Sequence, residues 1–191
     1  MRTRWIIPLF ILAAVIALTQ APRLLQMAPA SPAIGGPFTL LDQQGRTVHD
    51  TDFRGKLMLI YFGYTFCPDL CPTTLSQVAE VYRDLPAEQQ AQIVPIFITV
   101  DPERDTVEQM AQYVPSFSPS LVGLTGSQEQ VGAVLKAYHV YARKAGSGEN
   151  YGVDHSSILY LMNKDGRFLR HFDSSAKNQE IKDGIAKALA G

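Results

Sequence analysis

Hydrophobic residues follow two kinds of spacing along this chain, and together they predict an α/β fold. Residues 57–62 and 93–100 are continuous apolar, β-branched and aromatic runs, which are typical of strands buried at the centre of a sheet. Apolar residues recur at helical spacing within 75–82, 105–114 and 127–138. These three segments are predicted to be helices that bury one face against the sheet.

Shorter segments complete the predicted order of elements. They are a small hairpin at 38–49, a short strand at 121–124, an extended segment at 139–143, a second hairpin formed by 157–162 and 167–172, and a closing helix at 177–189. The second hairpin is predicted from its turn residues, Asn-Lys-Asp-Gly at 163–166. This order of strands and helices is that of a thioredoxin-like fold, which we expect as one domain over residues 36–191.

The first 21 residues differ in character from the rest of the chain. Arg2 and Arg4 precede an uncharged, mostly apolar run that begins at residue 5 and continues to residue 21. Its length lies between that of a signal-peptide core and that of a short membrane helix. We expect a membrane anchor rather than a cleaved signal, because Pro22 disfavours cleavage directly before it. Residues 22–35 contain several Pro, Ala, Ser and Gly residues and predict a linker.

The position of the arginines predicts the orientation of this anchor. Positive charges before an apolar segment keep the N-terminus in the cytoplasm and send the following chain across the membrane. We therefore expect the domain to be anchored to the inner membrane and to face the periplasm.

The amino-acid composition excludes several classes of function for this protein. The chain has 191 residues, of which 46% are hydrophobic and 18% charged, which suits one well-buried domain. The formal net charge of -1 argues against a polybasic nucleic-acid-binding protein, so no nucleic-acid partner is expected. The two cysteines, Cys67 and Cys71, are too few for a scaffold of several disulfides or for a four-cysteine zinc site.

Both cysteines lie between the predicted strand at 57–62 and the helix that follows it. Residues four apart on a helical turn project from one face, so the sulfur atoms of Cys67 and Cys71 can converge. Unpaired N–H groups at a helix N-terminus favour the thiolate form. Three interpretations are open: a structural disulfide, a dithiol redox centre, or a soft-metal site for Cu(I). The disulfide is the weakest of them, because closing so short a loop stabilises a fold little.

A histidine could complete a three-coordinate copper site. The chain has four, which are His49, His139, His155 and His171. His155 lies between the flexible-looking segment 145–150 and the predicted strand at 157–162, from where it can face the cysteine turn across the same sheet edge. The competing interpretation is a structural histidine without a metal.

Three acidic residues are further candidates, one next to His155 and two after the predicted strand at 93–100. Asp154 either orients the ring of His155 or caps the strand. Asp101 and Asp105 either form an acidic rim near the metal turn or, as we favour for Asp105, shape a turn and provide a helix N-cap.

Taken together, these segments resemble the Sco/SenC family of membrane-anchored copper chaperones for cytochrome c oxidase assembly. The matching elements are the N-terminal anchor, Tyr61-Phe62-Gly63-Tyr64-Thr65 with Cys67-Pro68-Asp69-Leu70-Cys71-Pro72, Asp101-Pro102-Glu103-Arg104-Asp105-Thr106, and Val153-Asp154-His155-Ser156. The resemblance implies a thioredoxin-like fold with one copper ion, Cu(I) or Cu(II), bound by Cys67, Cys71 and His155. It implies cytochrome c oxidase subunit II, or another copper-site protein, as the partner.

Two roles are compatible with this resemblance. In the first, which we expect, the protein is a metallochaperone that supports assembly of the binuclear copper centre and is not itself an enzyme. In the second, it is a membrane-tethered thiol-disulfide oxidoreductase that keeps the cysteines of oxidase subunit II reduced, with Cys67 and Cys71 as its redox-active pair. A peroxidase-like activity is not expected, since no polar constellation in the sequence supports it.

Overall fold

The structure is a computed structural model in which residues 33–148 and 150–190 are described. The anchor or signal segment predicted at 1–21 lies outside the described residues, as does most of the linker predicted at 22–35. None of the helices in the described part of the chain is both long enough and apolar enough to span a membrane.

The described residues contain nine strands in two sheets. The strands are β1 (Thr39–Asp42), β2 (Thr47–His49), β3 (Leu57–Gly63), β4 (Ile93–Thr99), β5 (Val122–Thr125), β6 (Ala142–Ala145), β7 (Gly152–His155), β8 (Ile158–Met162) and β9 (Phe168–Asp173). Seven of them form one sheet in the order β2-β1-β5-β4-β3-β8-β9, and β6 pairs with β7 in a separate ribbon. The central strands β3, β4 and β5 are parallel, and the outer pairings are antiparallel.

Five α-helices connect or cover these strands. They are α1 (Leu70–Asp84), α2 (Ala87–Gln90), α3 (Val107–Tyr113), α4 (Gln128–Ala137) and α5 (Asn178–Ala190), with short 3-10 turns at Asp50–Phe53 and Val114–Ser116. Helix α1 packs against α5, α3 against β5, and α4 against β1. The turn between β3 and α1 carries Cys67 and leads into Cys71 in the first turn of α1, so both cysteines lie at the carboxyl edge of the central strand.

Strand β3 shows why the hydrophobic runs predicted strands correctly. All of its residues are buried, because strands lie on both sides of it and helices cover the sheet. Successive side chains alternate between the two faces. Phe62 packs its ring against Tyr138 and Tyr160 on one face, whereas Tyr61 and Gly63 lie on the other face with Cys71.

The predicted α/β order is confirmed, including the two buried core strands β3 and β4 and the hairpin of β8 and β9. Two elements were not predicted, namely the short helix α2 and the strand β7. The extended segment expected at 139–143 begins later, as β6. The ribbon of β6 and β7 is short and mostly polar, so its strands are specified by pairing with each other rather than by a hydrophobic period that a sequence pattern could reveal.

Candidate metal centre

The two cysteines occupy different environments within one turn. Cys71 lies in the first turn of α1 and is fully buried at 0% exposure, whereas Cys67 is partly buried. The backbone N–H of Cys71 donates to Sγ of Cys67 at 3.4 Å. Both residues are free thiols. The helix N-terminus therefore holds the Cys67 sulfur next to Cys71 through an otherwise unpaired amide.

Gly63 provides the space that Cys71 occupies. A Cβ atom at this position would lie 2.8 Å from Sγ of Cys71 and 3.0 Å from Cε1 of Tyr61. The first of these distances is shorter than a carbon–sulfur contact allows. A residue without a side chain at the end of β3 is therefore required for the sulfur to sit against the strand.

His155 reaches the same point from the ribbon. It is the last residue of β7, and its Nε2 lies 3.5 Å from Sγ of Cys71. Its ring meets the rings of Tyr64 and Tyr61 edge-on, with centroid distances of 5.8 Å and 6.4 Å. The three residues predicted as a site therefore meet at one edge of the sheet, with Cys71 in the middle.

The backbone selects the tautomer of the histidine. Nδ1 of His155 lies 3.2 Å from the carbonyl oxygen of Ser156, which can only accept a hydrogen bond. Nδ1 therefore carries the proton in the neutral ring, and Nε2 presents a lone pair towards Cys71. Asp154 does not orient this ring, because its carboxylate is exposed and paired with Arg143 at 3.6 Å.

The acid–base properties of the three groups differ. Burial opposes ionisation of Cys67, but N–H groups of Cys71, Asp69 and Leu70 outweigh it, so the pKa of Cys67 is lowered. Burial raises the pKa of the Cys71 thiol to about 12. Burial also lowers the pKa of His155, against the opposing effect of the Ser156 carbonyl. Around neutral pH the ring is therefore neutral and able to act as a ligand.

A partly buried cluster of three side chains attaches the ribbon to the loop that follows β4. Oδ2 of Asp101 accepts from Nε of Arg104 at 2.6 Å, and Oδ1 accepts from the hydroxyl of Tyr151 at 2.8 Å. Nη1 of Arg104 donates to the carbonyl oxygen of Tyr151 at 2.9 Å, and its guanidinium lies 3.6 Å from the centre of the Tyr151 ring. We call these three residues the clasp. It holds the chain just before β7, and thereby positions His155.

Asp105 has a similar structural role on the cysteine side. It is 0% exposed and accepts hydrogen bonds from the backbone N–H of Thr65 at 3.0 Å, from Oγ1 of Thr65 at 2.7 Å, and from Oγ1 of Thr99 at 2.6 Å. It thus links the turn before Cys67 to the end of β4.

The favoured interpretation of Asp105 as a helix N-cap is therefore wrong, and the alternative of an acidic rim does not hold either. The N-cap of α3 is Thr106, whose side chain accepts from the N–H of Gln109, and not Asp105. Nor do Asp101 and Asp105 form an acidic rim, because both are almost fully buried and hydrogen-bonded within the protein. A buried acid needs such partners, which a motif alone does not reveal.

The separation of Cys71 and His155 suits two ligands of one metal ion. Metal–sulfur bonds of about 2.3 Å and metal–nitrogen bonds of about 2.0 Å place two neighbouring donors roughly 3.5–4 Å apart. Within residues 33–148 and 150–190, however, no three Cys, His, Asp or Glu side chains are already gathered as closely as a finished metal site requires. The Cys67 sulfur accepts a hydrogen bond from the amide of Cys71.

Tyr61 and Gly63 are functional neighbours to which the sequence analysis assigned no role. The hydroxyl of Tyr61 donates to Sγ of Cys71 at 3.7 Å, within the range of sulfur hydrogen bonds. The alternation of β3 was the available signal, since it places both residues on the face that the following helix covers.

These features define a class of protein: an α/β domain with two thiols and an imidazole converging at the carboxyl edge of its central strands. The model of the SCO1/SenC family matches residues 26–190. The chain therefore belongs to the SCO1/SenC family, and its fold is thioredoxin-like, as the sequence analysis predicted.

Two mammalian relatives give the extent of the similarity. The chain is 46% identical over 162 residues to the bovine mitochondrial SCO2 homolog, covering 83% of this chain and 61% of that protein. It is 45% identical over 158 residues to the mouse mitochondrial SCO1 homolog, covering 81% and 56%. The chain thus spans about three-fifths of the length of these relatives.

Two solved structures of family members are similar in fold to this chain. ScoI of Bradyrhizobium japonicum with copper bound has 43% identity and a TM-score of 0.76, covering 82% of this chain and 99% of that one. Yeast Sco1 with copper bound has 34% identity and a TM-score of 0.77, covering 84% and 90%.

Proposed function

We propose that this chain is a copper metallochaperone that binds one copper ion through Cys67, Cys71 and His155. The observation that carries the proposal is the 3.5 Å distance between Nε2 of His155 and Sγ of Cys71, with Cys67 in the same turn. Two thiolates and an imidazole form a donor set that suits copper. The copper-bound structures of the Bradyrhizobium and yeast relatives support this choice of metal.

The donor set favours Cu(I) as the transferred form. Two thiolates around Cu(I) give a core with one net negative charge, and Cu(I) is stable with two or three soft ligands. Around Cu(II) the same core is neutral, and the harder ion calls for a fourth ligand such as water. A site with three protein ligands can thus hold both states but releases Cu(I) to soft acceptors more readily.

Each residue contributes differently to binding and release. Cys67, with its lowered pKa and partial exposure, offers the thiolate that an arriving ion meets first. Cys71 loses its proton as the ion binds, because burial holds that proton in the metal-free protein. His155 is already neutral and presents Nε2. An acceptor's ligand can approach from the side of Cys67, and the ion can then be passed by ligand exchange.

The proposed recipient is a copper-site protein, specifically the binuclear copper centre of cytochrome c oxidase subunit II. Family membership supports this recipient. An anchor formed by residues 1–21 would hold the domain at the inner membrane, facing the periplasm, beside a membrane-bound recipient. Such tethering raises the effective concentration of the two sites relative to each other.

Anaerobic titration of the reduced protein with Cu(I), in competition with a Cu(I) chelator, tests the metal site. We expect one ion per chain and an affinity lowered about tenfold or more in Cys67→Ser, Cys71→Ser and His155→Ala, because each removes one of three ligands. His171→Ala is the matched control, since His171 lies in β9, away from the cysteines. Unchanged affinity in His155→Ala contradicts the three-ligand site.

The second candidate function is thiol-disulfide exchange. It is favoured by the difference between the two thiols: Cys67 is partly exposed and accepts from the amide of Cys71, whereas Cys71 is fully buried. This arrangement lowers the pKa of Cys67 and raises that of Cys71, as in a pair of attacking and resolving cysteines. This function predicts reduction of an oxidised peptide from the recipient without metal. It also predicts that His155→Ala leaves the rate nearly unchanged, whereas the copper function depends on that residue.

A further inference from the structure

Tyr61 is a buried tyrosine whose hydroxyl lies at the candidate metal centre. The residue is 1% exposed, and its hydroxyl donates to Sγ of Cys71 at 3.7 Å. Its ring also meets the ring of His155, with a centroid distance of 6.4 Å and an interplanar angle of 72°. One side chain of the central strand thus contacts two of the three proposed ligands.

The phenol donates its proton to Sγ of Cys71, although other polar groups lie close to it. The hydroxyls of Thr74 and Ser157 also lie near it. Thr74 donates its own proton to the carbonyl oxygen of Leu70 at 2.9 Å. A buried hydroxyl needs an acceptor for its proton, and a thiolate is a far stronger acceptor than a thiol. The hydrogen bond to Cys71 is therefore strongest when the sulfur is ionised.

We propose that Tyr61 is a positioning residue that holds Cys71 in place and stabilises its thiolate when copper is bound. The inference rests on the proposed copper function and deepens it. Donation from the phenol withdraws electron density from the sulfur. It thereby offsets part of the cost of a buried thiolate and lowers the energy of the sulfur orbital that faces the metal. The hydroxyl, and not the ring alone, determines how tightly Cys71 retains the ion.

Tyr61→Phe removes the hydroxyl and keeps the ring. We expect Cu(I) affinity in the chelator competition to fall about tenfold, as befits the loss of a hydrogen bond to a charged group. We expect the thiolate-to-Cu(II) absorption band to move to lower energy. Tyr160→Phe is the matched control, because Tyr160 is also buried and packs on the opposite face of the sheet. It should leave the affinity and the band unchanged.

A metal-free measurement separates this inference from the copper function. In glutathione buffers, the Cys67–Cys71 dithiol is oxidised to the disulfide as glutathione disulfide is reduced to two glutathione molecules. Reduced, metal-free Cys71 is a thiol, which accepts a hydrogen bond less well than a thiolate but better than a disulfide sulfur. Tyr61→Phe should therefore shift this equilibrium towards the disulfide by a smaller factor than it lowers Cu(I) affinity, and Tyr160→Phe should not shift it.

A second perturbation keeps the ring and hydroxyl of Tyr61, in case Tyr61→Phe does not fold. Uniform 3-fluorotyrosine labelling makes each phenol a stronger donor, so the absorption band should move to higher energy. Labelled Tyr160→Phe should show the same shift. Wild-type affinity, band and thiol equilibrium in a folded Tyr61→Phe protein, or no band shift on fluorination, overturn the role of Tyr61. Absence of copper binding by the wild-type protein, with the thiol equilibrium still shifted, overturns only the copper function.

Discussion

Nε2 of His155 and Sγ of Cys71 lie 3.5 Å apart although 84 positions separate the two residues in the chain. Cys71 belongs to the rigid N-terminus of α1, whereas His155 ends a two-stranded ribbon outside the main sheet. The site therefore lies where helix α1, which packs in the core, meets the peripheral ribbon of β6 and β7. Substitutions that act on either side of this junction should affect metal binding in distinguishable ways.

Gly63→Ala tests the core side. A methyl group would lie 2.8 Å from Sγ of Cys71, so the sulfur has to move. We expect a loss of about 1–3 kcal/mol in unfolding free energy, as for other overpacked cores. Cu(I) affinity should fall with it, because the displaced sulfur no longer faces His155. Denaturant unfolding and chelator competition measure the two effects.

Gly132→Ala is the matched control for this substitution. Gly132 lies within α4, and a Cβ atom there meets nothing within 4 Å. Alanine should stabilise this helix position by about 0.5–1 kcal/mol and leave copper affinity unchanged. Equal copper affinity in both alanine variants would show that Gly63 does not provide space for the sulfur.

Tyr151→Phe tests the ribbon side through the clasp. The substitution removes the hydrogen bond to Asp101, while the ring still covers the guanidinium of Arg104. We expect faster amide hydrogen exchange in β6 and β7 and a several-fold loss of Cu(I) affinity, since His155 is less firmly placed. Tyr141→Phe is the control, because Tyr141 is 54% exposed and next to the same ribbon. Unaltered exchange in Tyr151→Phe excludes a positioning role for the clasp.

The two thiols should react with iodoacetamide at different rates in the reduced, metal-free protein. Donation from backbone N–H groups outweighs burial and lowers the pKa of Cys67, whereas burial raises the pKa of Cys71 to about 12. Since only the thiolate reacts, Cys67 should be alkylated about tenfold faster or more near neutral pH. Its rate should also level off at a lower pH than that of an ordinary cysteine. Mass spectrometry of Cys67→Ser and Cys71→Ser measures each thiol alone, and equal rates would contradict the assignment.

Asp105→Asn should destabilise the fold with a defined pH dependence. Burial raises the pKa of Asp105, although Thr99 and Thr65 donate to it. A carboxyl with a raised folded-state pKa binds its proton more tightly in the folded protein than in the unfolded chain. Wild-type stability from this group is thus fully present below the unfolded-state pKa of about 3.9 and declines as pH rises through the folded-state pKa.

The asparagine variant replaces one of the two acceptor oxygens by an NH2 donor, which faces the N–H and hydroxyl donors of Thr65 and Thr99. It should be less stable by about 1–3 kcal/mol. The difference in unfolding free energy between wild type and variant should be largest in acid and shrink towards neutral pH. The reason is that the contribution of Asp105 declines as pH rises, whereas asparagine does not titrate. Urea unfolding between pH 3.5 and pH 7 measures the difference. Asp84→Asn, at a surface pair with Lys182, should remain within about 0.5 kcal/mol of the wild type throughout. If the variant's loss of unfolding free energy instead grows with pH, the pKa of Asp105 is lowered, not raised, in the folded protein.

Parts of the fold could be predicted from residue spacing because they are buried uniformly. Strand β3 has partners on both sides and helices over it, so every residue is buried and the continuous hydrophobic run is easy to recognise. Strand β7 has one partner and contains Asp154 and His155, so it carries no such pattern. Asp105 resembles an N-cap in sequence, and its burial depends on Thr65 and Thr99, which come from other elements.

The amino-acid sequence by itself determined the order of the elements, the C-x-x-x-C turn at a helix start, and the choice of His155 as the histidine to consider. These properties follow from residue type and local spacing. Only the tertiary structure decided that His155 meets Cys71, that a backbone carbonyl rather than Asp154 orients its ring, and that Tyr61 donates to the sulfur. Such contacts depend on which distant elements come together at a sheet edge, and local periodicity does not record that.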